Sequence, residues 1–161
     1  MSSRRRVMVL IFASLLLALI FCVYPLPPAF ALVRPELLCL LMIYWIMDSP
    51  QHFGMLFGWC IGLVQDVAEN TVWGAHALAL MLVAYVCQVS YQRMRSYSVW
   101  HQSMWIFVFL GMHQVIANWV QSMAGYHAQV YSLLMPAVVT ALFWPLLILV
   151  MRQIRVVHIF H

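Results

Sequence analysis

Lysine is absent from this chain, and only four side chains are carboxylates: Glu36, Asp48, Asp66 and Glu69. Charged residues make up 7% of the sequence and hydrophobic ones 66%, against about 25% and roughly 45 to 50% in soluble domains. A water-soluble fold is thereby excluded. Catalytic signatures are missing too: there is no GxSxG, no HExxH, no Walker-type loop and no carboxylate pair set for acid and base work. The four cysteines, Cys22, Cys39, Cys60 and Cys87, each fall in a different apolar run, with no CxxC or other metal-type spacing. They read as small buried hydrophobes rather than as a disulfide framework or a metal site. No internal repeat, low-complexity segment or long linker is visible, so 161 residues make one membrane domain, 1–161, with no soluble domain beside it. The reading is of a protein that is not an enzyme and carries no cofactor.

What is present is a succession of apolar runs. Three arginines, Arg4, Arg5 and Arg6, precede an apolar run over residues 7–23, the order of charge and hydrophobicity found in a secretory signal, and Ala29-Phe30-Ala31 supplies an A-x-A triplet. The run exceeds the about 7 to 15 residues of a signal h-region, so an uncleaved first helix is expected. The Pro25-Leu26-Pro27-Pro28 stretch ends it, because proline lacks the N–H that a helix needs. Runs over 37–47 and 53–64 are shorter than the roughly 17 to 25 residues of an ordinary span. They form either a tight hairpin of short helices or a re-entrant pair, turning at residues 48–52, where Pro50 biases Ser49 away from helix. Residues 75–89, 104–120 and 131–151 supply the remaining spans, giving an all-α polytopic membrane protein of about six segments.

The eight basic residues, all arginine, lie at the edges of these runs and so speak of orientation, with nothing to indicate nucleic acid binding. With the N-terminus in the cytoplasm, Arg4, Arg5, Arg6, Arg93, Arg95, Arg152 and Arg155 fall inside and Arg34 alone falls outside. The positive-inside rule then places both termini in the cytoplasm, and residue 34 and the loops 66–73 and 121–129 outside.

Several groups of residues invite a role. Gly58, Gly62 and Asp66 recur at i, i+4 and i+8, along one helical face. Such glycines let another helix approach closely, and Asp66 at the outward end either caps the helix starting after Gly74, pairs, or binds a partner. Arg34 is the expected opposite charge. Glu69 and His76 are close in sequence, but their spacing matches no coordination motif. Gln114, Asn118 and Gln121, beside His113, form a polar seam expected to face protein, either bonding helix to helix or lining a pocket. Arg34-Pro35-Glu36 reads as the start of a helix and as a rigid outward corner. Arg93 and Arg95, flanked by Tyr91 and Tyr97, are placed to meet anionic lipid or cytoplasmic partners.

Arg34-Pro35-Glu36, then Tyr44-Trp45 with Pro50, then Gly58, Gly62, Asp66 and Gly74 followed by Ala77-Leu78, and finally Phe143-Trp144-Pro145 with Arg152, come in an order that resembles the rod shape-determining MreD family of bacteria. The resemblance implies a non-catalytic inner-membrane component of the cell-wall elongation machinery. Its implied partners are MreC above all, then RodA with its class B penicillin-binding protein, and the MreB filament directly or indirectly. It also implies a fold similar to the substrate-binding subunits of energy-coupling-factor transporters. A small-molecule-binding transport subunit is therefore the alternative, its cavity lined by His113, Gln114, Asn118 and Trp45.

Overall fold

A computed structural model describes residues 3–31, 33–126 and 130–159. The described residues form helices and loops with no strand: α1 (Ser3–Val23), α2 (Pro28–Ala31), α3 (Leu37–Asp48), α4 (Met55–Ala68), α5 (Ala75–Ser96), α6 (Val99–Met123) and α7 (Val130–Ile159). All six apolar runs are helical. The one-turn α2 is an addition, begun by Pro28 at a first helical position, where a missing N–H costs nothing. Among the described residues, four helices are long and apolar enough to cross a membrane: α1, α5, α6 and α7. Residues 127–129 of the expected outer loop lie outside those described.

The short helix α3 is apolar around its whole circumference, and a helix of that kind must be enclosed on all sides. Nine of its 12 residues are buried, from Leu38 to Met47. It packs chiefly against α1 and α5. Trp45, 2% exposed, faces α1, where its indole N–H donates to Ser14 Oγ at 3.1 Å. Tyr44 meets Trp45 and Trp144 edge-on, with ring centroids 5.4 and 6.5 Å apart.

The closest pairing in the bundle joins α4 to α5, antiparallel. Its register is written by glycine. A Cβ on Gly58 would stand 2.6 Å from the Leu80 carbonyl oxygen and 2.7 Å from Ala84 Cβ, and one on Gly62 would stand 2.6 Å from both Ala77 N and His76 O. Backbone touches backbone here because no side chain intervenes. At the far end Gln88 Nε2 donates to the Pro50 carbonyl at 3.2 Å, which fixes the α3–α4 turn beside α5.

The helices α5 and α6 are joined through Tyr97 and Ser98 alone. Buried Gln102 sews this corner: its Nε2 donates to Met94 O at 3.2 Å and Tyr97 O at 3.1 Å, while its Oε1 accepts from Trp144 Nε1 of α7 at 3.1 Å. Helix α7 carries Pro136 and Pro145 within its length. The Pro136 carbonyl accepts from the Thr140 hydroxyl, the kind of side-chain compensation that lets proline persist in a membrane helix.

A candidate functional site at one end of the bundle

The last turn of α4 and the first of α5 meet at Asp66, which is 1% exposed. Its two oxygens are fully engaged. Oδ2 accepts from the backbone N–H of Gly74 at 2.9 Å and of Ala77 at 3.2 Å; Oδ1 accepts from the backbone N–H of His76 at 3.0 Å and from Thr71 Oγ1 at 3.0 Å. His76 Nδ1 lies 2.8 Å from the same Oδ1. A carboxylate at the end of α4 opposes that helix's dipole, but here it closes the orphan N–H groups of α5, where negative charge is favoured. Gly74 sits at φ +97°, a left-handed turn that delivers its N–H to the carboxylate.

Asp66 therefore pairs with His76 and not with Arg34. The Arg34 guanidinium donates instead to the Phe21 carbonyl at 2.8 Å, tying the segment before α3 to the end of α1. The three residues at that corner also part company. While Arg34 lies against α1, Glu36 turns inward, its Oε2 2.8 Å from His113 Nδ1, and its backbone N–H donates to Thr140 Oγ1 at 2.8 Å. The carboxylate thus links the start of α3 to α6, and only 19% of its side chain stays exposed.

Between these two carboxylate–histidine pairs the rings of His76 and His113 lie 5.6 Å apart, tilted by 39°. Glu69 closes the cluster: Oε2 is 3.9 Å from His76 Nε2, while Oε1 accepts from Gln65 Nε2 at 3.1 Å and from the Cys22 thiol of α1. Three of the four carboxylates of the chain, two histidines, two cysteines, a glutamine and two threonines thus gather at one end, contributed by α1, α3, α4, α5, α6, α7 and the loops between them. Gln65 Oε1 and His113 Nε2 are buried with no partner among the described residues.

The sequence seam on α6 is displaced by one residue. Its inward stripe is Gln102, Ile106, Phe109, Leu110, His113 and Ala117; Gln114, Asn118 and Gln121 lie half-buried beside it. Packing against α5 and α7 selects this stripe, and of its two polar members Gln102 enters on backbone carbonyls and the Trp144 indole while His113 enters on a carboxylate. Trp45 and His113 are likewise held by different neighbours, Ser14 and Glu36. Trp45 stands about 13 Å along α3 from Glu36, at about 1.5 Å per residue. Sequence reasoning read Cys22 as a small buried hydrophobe, whereas its half-buried thiol donates to Glu69, and it passed over Gln65, Thr71 and Thr140. Only Gln65, next to Asp66 in a chain so poor in amides and acids, carried a signal.

At the opposite end, Arg93 and Arg95 are exposed in the last turn of α5, where positive charge suits the helix dipole. Arg95, Arg152, Asp48, Tyr44 and Gln102 line a pocket of about 230 Å³. Charge is thereby sorted in part: Arg93, Arg95 and Arg152 stand at one end with Asp48, and Glu36, Asp66 and Glu69 with His76 and His113 at the other, where Arg34 lies.

Fold and site together define a class, a polytopic helical membrane protein whose ionisable groups are turned inward at one end. The chain belongs to the rod shape-determining protein MreD family, whose family model matches residues 3–154. It is similar to rod shape-determining protein MreD of Haemophilus influenzae, 27% identical over 148 residues, which is 90% of each chain. No solved structure matches it.

Proposed function

We propose that this protein serves rod-shape determination as a non-catalytic scaffold of the cell-wall elongation complex, contacting MreC and, through it or directly, RodA with its penicillin-binding partner and the MreB filament. The observation that carries this reading is the occupation of Asp66. The most deeply buried acid of the chain gives both oxygens to backbone N–H groups and to His76, so it holds helices together and offers no free base to a substrate. Family membership supports the shape-determining role.

Contacts then fall to helix faces and short corners, since no loop is large enough for a domain. Helix α1 exposes Phe12, Leu16, Leu17 and Ile20, a face suited to lipid or to a partner's membrane helix. The half-buried Arg34 and the exposed Trp73 mark the corner offered to the partner's membrane-proximal segment. Both termini and the Arg93 to Arg95 turn face the cytoplasm in this reading, as the positive-inside rule requires, and the arginine turn meets anionic lipid.

Affinity purification of the tagged protein from its host in mild detergent, followed by mass spectrometry, tests this. Recovery of MreC with the synthase pair is the expected result. Recovery of an ATPase pair with a transmembrane coupling subunit would overturn it in favour of a transport subunit.

A further inference from the structure

We infer that the Glu36–Cys39–His113 cluster is a binding site for a borderline transition-metal ion, Zn²⁺ by preference, which clamps α3 to α6. One ligating atom from each of the three residues lies within 4.8 Å of the other two. Glu36 and Cys39 stand three positions apart, at the start of α3, which puts both on one face; His113 faces them from α6, 77 residues away in sequence. Cys39 and His113 are each 1% exposed.

The donor set is what favours zinc. Sulfur, imidazole nitrogen and carboxylate oxygen together suit Zn²⁺, whereas Mg²⁺ and Ca²⁺ want oxygen alone. Donors around a tetrahedral zinc stand roughly 3 to 4 Å apart, so small side-chain rotations close the site. The second observation is His113 itself. Its Nδ1, turned to Glu36, is the nitrogen placed to ligate, while Nε2 on the far side of the ring is buried without a partner among the described residues. The fold leaves this imidazole under-used in a place where an idle polar nitrogen is costly. Access comes through Glu36, the one ligand whose side chain reaches the surface. On binding through Nδ1, the Cys39 thiol proton passes to solvent and the His113 imidazole keeps one proton, on Nε2. The ion then adds a bond between α3 and α6 at the place where Glu36 already meets His113.

The test uses the purified full-length protein in detergent, freed of metal by chelation and titrated with Zn²⁺ and, separately, Co²⁺. Zn²⁺ should raise the melting temperature, and Co²⁺ should give the near-ultraviolet absorption of a thiolate-to-cobalt transition. That band should survive Cys22→Ser, Cys60→Ser and Cys87→Ser made singly, vanish in Cys39→Ser, and need at least about tenfold more metal in His113→Gln. Should Cys39→Ser fail to fold, survival of the band through the other three replacements assigns it to the remaining thiol. No thiolate band in the unaltered protein, a band that persists without Cys39, or one lost with any other cysteine would overturn the site.

Discussion

At Asp66 a single carboxylate does the work of a helix cap for α5 and of a counter-charge for His76. Removing it strands three backbone N–H groups and one imidazole in a dry place. Asp66→Ala should therefore cost about 3 kcal/mol or more, the range seen when one member of a buried pair is lost. Asp66→Asn is the more telling variant, because its amide NH2 would face the N–H groups of Gly74 and Ala77 that Oδ2 now accepts. It should lose most of the same stability. Thermal unfolding in detergent reads both, and an Asn variant as stable as the parent would show that negative charge and paired acceptors are unnecessary. The sequence announced this residue, since an acid ending a glycine-lined face has few reasons to exist in hydrocarbon. It did not announce the partner. The choice of His76 over Arg34 depends on the tight turn through Gly74, which folds residue 76 back onto residue 66, whereas residues 22, 36 and 113 join the cluster only through the packing of whole helices.

Helix pairing makes a sharper prediction, because two glycines in similar sequence settings have opposite surroundings. A methyl group on Gly62 would collide with the backbone of His76 and Ala77, and rigid backbone cannot give way. Gly62→Ala should push α4 from α5 and cost about 1 to 3 kcal/mol or more, the range for overpacking. Gly111, inside α6, has nothing within 4 Å of an added Cβ. Gly111→Ala should leave stability unchanged or raise it by about 0.5 to 1 kcal/mol through helix propensity. Melting temperatures of the two variants should move apart; a common response would break the argument. The i, i+4 spacing of Gly58 and Gly62 was readable as a close-packing face, and all six apolar runs were readable as helices. The inward stripe of α6 was less legible: an alternation of His113, Gln114, Ala117 and Asn118 offers two neighbouring faces, and packing against α5 and α7 chose between them.

For the molecule as a whole the open quantity is how far the α3–α4 hairpin reaches. At about 1.5 Å per residue, 12- and 14-residue helices span about 18 and 21 Å, short of a roughly 30 Å hydrocarbon core. The Gln88 to Pro50 hydrogen bond gives an independent mark: Gln88 lies about 20 Å along α5 from Ala75, some two turns before the helix ends. The hairpin tip therefore stops short of the basic end of α5, and the pocket lined by Asp48, Arg95 and Arg152 bridges the gap with charged side chains. Charged linings draw water inward, or thin the bilayer locally, so the tip should be wet from the arginine side. Cysteines placed at exposed positions in a Cys60→Ser background test this with a membrane-impermeant maleimide. Trp73→Cys should react from outside the inner membrane, Ser96→Cys only after the membrane is opened, and Gln51→Cys in the same manner as Ser96→Cys. Because α5 alone separates residues 73 and 96, labelling of both from one side would refute its crossing. Labelling of Gln51→Cys from outside would mean that α3 and α4 re-enter without reaching the cytoplasmic water, and that the arginine-lined pocket is sealed from it.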